Sequence, residues 1–185
     1  MPSTIKLKSL ERAQSVYVIH MSKFELIEKI ERDAHSYEKI YHGCSQCVLK
    51  ALQEHLQLGN GEAFKAASAL AGGIARMGET CGALTGGILA VGLAYGREKL
   101  EDTAYSQAYA MAMELSIDLY RRFEKEFGST KCWDIQKSLF GRAFDFKKPG
   151  EREEFVRAGG YEKCPEVVKK AARLAAEAIL KGGTR

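Results

Sequence analysis

Apolar positions along the chain recur at helical spacing almost everywhere. Ile27, Ile30, Ala34, Tyr37 and Tyr41 follow the three-and-four rhythm of one amphipathic stripe. Ser22 with Glu25 three positions on makes a capping box, which places the start of that helix just after Met21. Val48, Ala51, Leu52, His55 and Leu56 repeat the pattern in a second helix, closed by Leu58-Gly59-Asn60-Gly61. A third helix is expected over residues 62–71, loosened by Gly72 and Gly73 and ended by Gly78. Residues 82–95 are apolar on all sides, which belongs at the centre of a bundle. Within them Gly82, Gly86, Ala90 and Ala94 form a four-residue row with almost no side chain, suited to close helix packing. A fifth helix is expected over 102–127, with Ala104, Ala108, Met111, Leu115 and Leu119 inward, and a short sixth over 132–141. The last helix is expected to open at Cys164-Pro165 and to bury Val168, Ala171, Leu174, Ala175 and Ala178. Residues 142–160 read as a loop with one helical turn. No strand pattern competes. The prediction is an all-α fold, a single compact bundle of five to seven helices around the Gly/Ala-rich apolar helix. Residues 21–185 make the domain and residues 1–20 a loose N-terminal extension.

Composition narrows the function classes. The chain has 185 residues with 45% apolar and 28% charged positions, enough for a sizeable core without covalent staples. Its formal charge of +4 comes from 28 basic and 24 acidic residues, so no strong single-sign field is implied. Lys169, Lys170, Arg173 and Lys181 read as a solvated face without interleaved aromatics, which argues against nucleic-acid binding. The longest apolar run, residues 82–95, falls short of the roughly 20 residues a membrane span needs. The expectation is a cytoplasmic protein that does not insert into membranes. The composition is also compatible with a homo-oligomer.

Five cysteines in that compartment are not a static disulfide framework. Cys44, Cys81, Cys132 and Cys164 each follow a glycine break and are each expected to open a helix. A thiol there faces free backbone N–H groups and the positive end of the helix dipole, both of which favour the thiolate. Cys47 stands three residues after Cys44, on one helical face with it, as a redox partner or a second ligand of one metal. Gly78, Gly82 and Gly86 would let the backbone approach a cofactor, and Arg76 and Glu79 bring charge beside them. Two near-matches fail. Gly73 to Thr80 imitates a phosphate-binding loop but carries glutamate for the lysine, and no strand precedes it. His42-x-Cys44-x-x-Cys47 is a zinc fragment only in outline, with a histidine at a helix end beside glycine.

These residues also carry a resemblance. Gly72-Gly73-Ile74 leading into Gly78-Glu79-Thr80-Cys81-Gly82-Ala83-Leu84-Thr85-Gly86-Gly87 is similar to the signature of the C_GCAxxG_C_C family of redox-active proteins. Cys44, Cys81, Cys132 and Cys164 match its four cysteines in order, and the likeness runs from about Phe24 to Leu180. Cys47 departs from the pattern, which has a small residue there. The resemblance implies redox chemistry at these cysteines, with an iron–sulfur role suspected for relatives. Three readings therefore stand: thiol–disulfide exchange with a redox partner protein or small thiol, an iron–sulfur or other metal cluster on Cys44, Cys81, Cys132 and Cys164, and a non-catalytic helical scaffold that binds partners.

Overall fold

A computed structural model describes residues 21–183. The expected N-terminal extension, residues 1–20, lies outside the described residues. Eight α-helices follow in order: α1 Lys23–Tyr41, α2 Cys44–Leu56, α3 Gly61–Ala66, α4 Gly82–Tyr95, α5 Gln107–Phe127, α6 Cys132–Phe140, α7 Glu151–Arg157 and α8 Gly160–Gly182. A 3₁₀ turn, Ala67–Leu70, continues α3. Among the described residues the one extended pairing is an isolated antiparallel bridge, Thr80 to Lys131. The fold is all-α. It holds one helix more than the expected upper bound, because the segment 142–160 contains α7.

Local chemistry sets most of the boundaries. The capping box at the start of α1 is complete: the Glu25 N–H donates to Ser22 Oγ at 3.2 Å, and the Ser22 N–H to Glu25 Oε2 at 2.7 Å. Asn60 caps α3 and Ser106 caps α5, which starts five residues later than the apolar stripe suggested. Gly128 and Gly141 end α5 and α6 in left-handed geometry.

The apolar helix α4 packs against α2, α5 and α8, while α8 also runs along α1. Gly87 meets Ala175 and Leu119, so α4 and α8 close to backbone distance along this seam. The burial of α4 runs from Gly82 to Val91, and Gly92 and Leu93 reach solvent. The centre is shared with α8, which buries Val168, Ala171, Ala172, Ala175, Ala178 and Ile179. Its basic residues are not simply solvated: Arg173 bridges Glu31 of α1 and Glu177, and Lys170 pairs with Glu126 of α5.

The expected third helix breaks down in an unusual way. After the 3₁₀ turn the chain makes a left-handed turn, with φ of +70° at Gly72, +74° at Gly73, +54° at Ile74, +52° at Ala75 and +63° at Arg76. The two glycines enter this conformation freely, whereas the next three residues each pay roughly 1–2 kcal/mol for it. Hydrogen bonds of 3.1 Å from Ile74 N–H to Leu70 O and from Arg76 N–H to Ala71 O hold the turn.

Candidate functional site

A cavity of about 410 Å³ lies where the N-terminal ends of α2, α4 and α6 meet the side of α8. Cys44, Cys81, Cys132 and Cys164 all line it. All five cysteines of the chain are free thiols.

Each of the four is positioned differently. Cys44 is the first residue of α2, after a left-handed turn at Gly43 with φ of +93°. Ser45 anchors that end, its hydroxyl donating to the Ala67 carbonyl at 2.8 Å. α4 can come close because Gly82 has no side chain: a β-carbon there would stand 2.4 Å from Cys44 Sγ. Cys81 is the N-cap of α4 and Cys132 the first residue of α6. The isolated bridge ties these two together, with Cys81 N–H donating to Thr130 O at 2.8 Å and Cys132 N–H to Glu79 O at 2.7 Å. Gln136 Nε2 donates to Cys132 Sγ at 3.6 Å. Cys164 departs from expectation. The last helix opens at Gly160, so Cys164 lies one turn inside it and Pro165 sits within the helix.

Cys47 is buried in the core and does not line the cavity. Its thiol donates to the His42 carbonyl at 3.4 Å and meets the Glu38 carboxyl. The three glycines expected to cradle a cofactor also lie outside the lining. Gly78 faces the Trp133 ring and Gly86 the Ser45 backbone, where β-carbons would stand 2.1 Å and 2.3 Å away. Gly82 alone of the three adjoins a cysteine. Their structural work is close packing around the site.

The electrostatics reverse one expectation. Burial pushes the thiols of Cys81 and Cys132 up to about 12, and those of Cys44, Cys47 and Cys164 well above the usual range. The helix-start effect is present, since the Ala83 and Leu84 N–H groups favour the Cys81 thiolate, as Gly72 and Ser45 do for Cys44. Desolvation outweighs it. The thiols are therefore protonated at neutral pH, and a low-pKa thiolate pool is absent from this site as it stands.

The titratable group poised near neutrality is a carboxyl. Glu38 is buried on the cavity wall, its Oε2 has no hydrogen-bond partner, and burial lifts it to about 7. His42 donates from Nδ1 to the Glu38 backbone carbonyl at 2.8 Å and stacks on Tyr161 at 3.6 Å between ring centroids. Among the described residues no three His, Cys, Asp or Glu side chains group closely enough to hold one metal ion. The donor set thus does not fit a mononuclear site.

The family model described as "Putative redox-active protein (C_GCAxxG_C_C)" matches residues 42–178. The chain belongs to the C_GCAxxG_C_C family. Comparison with curated proteins and with solved structures returns no match in either case.

For this C_GCAxxG_C_C protein, several groups on the cavity wall escaped the sequence reading. Glu38 occupies the inner stripe of α1, four residues after Ala34, where Tyr41 was expected; Tyr41 is instead 72% exposed. A carboxylate on an apolar stripe was the available signal. Gln136 is 3% exposed and links Cys132 to the Phe144 N–H, a role that only the tertiary structure reveals. In the supposed loop 142–160, Phe155 makes edge-to-face contacts with Phe140, Phe144, Phe146 and Tyr161 at 5.1–5.6 Å, and Phe146, Phe155 and Tyr161 line the cavity. Arg152, on α7, also lines the cavity, as does Arg76 from the left-handed turn. Glu79 does not; it pairs with Lys131.

Proposed function

We propose that this protein carries out thiol–disulfide exchange at the four-cysteine cavity. The observation that supports the reading best is the gathering of four free thiols from four separate helices around one space that also holds a buried carboxyl. Cys81 and Cys132, tied by the backbone bridge, are the candidate dithiol pair. In the forward direction one thiol, losing its proton, attacks a substrate disulfide R–S–S–R. The substrate S–S bond breaks, a mixed disulfide forms and one RSH leaves with that proton. Cys81, the member of the pair that interacts with Glu38, is the second thiol: it passes its proton to the Glu38 carboxylate and attacks the mixed disulfide. A protein disulfide forms, and the second RSH departs with the proton returned from Glu38. Two protein thiols are oxidised and one substrate disulfide is reduced to two thiols. Because the thiols are held protonated by burial, a proton acceptor on the same cavity wall limits the rate. Cys44 and Cys164 complete the thiol wall, and Cys47 serves the packing of Glu38.

The rival reading is a metal cluster, favoured by one observation: the cavity exceeds what a disulfide fills. Anaerobic purification followed by metal analysis, an absorbance spectrum and a redox titration decides between them. A colourless protein with a two-electron dithiol couple, lost in Cys81→Ser, is expected. A brown protein with stoichiometric iron and visible absorbance overturns the thiol reading. The partner-binding scaffold would show neither.

A further inference from the structure

The cavity's charge is uneven. Its lining carries two guanidiniums, Arg76 and Arg152, both on exposed residues at the rim. The one carboxyl in the lining, Glu38, lies buried at the opposite extreme of exposure, beside the thiols Cys44 and Cys47. Burial keeps it partly protonated around neutral pH, so it does little to cancel the two cations. Arg76 owes its position to the left-handed turn, whose three non-glycine residues are strained and whose Gly73 packs on Cys132: a β-carbon there would stand 2.7 Å from Cys132 Cβ. Backbone strain that delivers a cation to a thiol-lined cavity is the kind of outlier that accompanies a ligand clamp. Arg152 interacts with Tyr161, which in turn stacks on His42. The rim is therefore cationic and semi-rigid, while the interior offers thiols and aromatic edges. A volume of about 410 Å³ lies in the range of small-molecule sites rather than of a docked protein domain.

We infer that the substrate is a low-molecular-weight disulfide bearing carboxylates, seated with its sulfurs among the four cysteines and an anionic group between Arg76 and Arg152. This rests on the thiol–disulfide reading and adds the substrate's class to it. Guanidinium is the group suited to a carboxylate, which it can hold through two parallel N–H donors. The electron balance is the one given above, with the anionic disulfide as the oxidant and two molecules of its thiol as product.

The test uses three disulfides at equal concentration on the fully reduced protein: oxidised glutathione, which is anionic, bis(2-hydroxyethyl) disulfide, which is neutral, and cystamine, which is cationic. Each rate is divided by that of the same disulfide with a short unstructured cysteine peptide. The normalised rate is expected to fall at least about tenfold from the anionic to the cationic probe, and the preference to shrink as salt rises. In an Arg76→Gln, Arg152→Gln double variant the three normalised rates should converge to within about twofold. An unchanged thermal unfolding midpoint verifies that the exposed substitutions leave the fold intact. Equal normalised rates in the native chain, or a preference that survives in the double variant, overturn the inference while leaving thiol–disulfide exchange standing. Failure of all three probes, the neutral one included, overturns the underlying reading and this inference with it.

Discussion

Two faces of α4 use small residues to opposite effect. Along the seam with α8, Gly87 lets Ala175 and Leu119 close onto the helix, and the space left by missing side chains is filled by neighbours. On the other face Gly82 and Gly86 bring α4 onto Cys44 Sγ and the Ser45 backbone. Immediately beside that contact the packing stops and a thiol-lined cavity opens. Close approach is common to both regions; what differs is whether anything fills the next layer. The seam gives rigidity, and the other face converts that rigidity into a fixed wall for groups that are costly to bury. Cys44 and Cys132 stay where they are because Gly82 and Gly73 close onto them and leave no room to relax.

The sharpest way to break this contrast is to fill a glycine contact. In Gly86→Ala the new β-carbon would meet a backbone carbonyl 2.3 Å away, which cannot rotate aside. Chemical denaturation should show a loss of more than about 3 kcal/mol. At Gly61, where a β-carbon meets nothing, the same change should be near neutral.

A second test addresses the cost of the buried carboxyl. Burial lifts the Glu38 carboxyl from the ordinary 4.5 to about 7. Between these values the native state keeps a proton that the unfolded chain has released, so stability falls as pH rises through the window and levels off above it. At about 1.4 kcal/mol per unit the full loss is about 3 kcal/mol. Glu38→Gln has no such charge, and its unfolding free energy should stay flat from pH 4.5 to 8 while the native chain declines. Parallel curves would mean that Glu38 is not desolvated.

A third test concerns the thiols. With Cys81 and Cys132 raised to about 12, alkylation at pH 8 in the folded protein should run about a hundredfold slower than in the urea-unfolded chain. Rates equal to those of the unfolded chain would restore the low-pKa expectation drawn from helix starts. The smallest effect is expected at Cys47. Cys47→Ala should cost about 1–2 kcal/mol of packing and leave the dithiol titration unchanged, whereas a shifted couple would make it a working partner.

Much of the helical layout was legible because the core stripes are periodic and the cap at Ser22 is strong. The positions that misled are those where tertiary contacts override local pattern. Residues 142–160 look polar and broken, yet Phe144, Phe146 and Phe155 inside them cluster with Phe140 of α6 and organise the segment. Cys164-Pro165 looks like a helix start because proline suits a first turn, but Gly159 and Gly160 begin α8 one turn earlier. At the site, the spacing of the cysteines after glycines marked the four thiols that line the cavity. Their ionisation was not readable, since it depends on how completely the assembled bundle excludes water. The left-handed run at Ile74, Ala75 and Arg76 has no signature in residue types that normally avoid it.

The wide separation of the cysteines along the chain has a kinetic consequence. Cys44 sits near the beginning of the described residues and Cys164 near their end, on helices that meet only when α8 docks against α1, α2 and α4. Closing a loop of that length comes with a large entropic penalty before any contact rewards it, so the cavity belongs to the late, high-contact-order part of folding. Until then the sulfurs are solvated and titrate like those of free cysteine. The nascent or heat-loosened chain is accordingly the more easily oxidised species, and completion of the fold is itself what withdraws the thiols from indiscriminate chemistry.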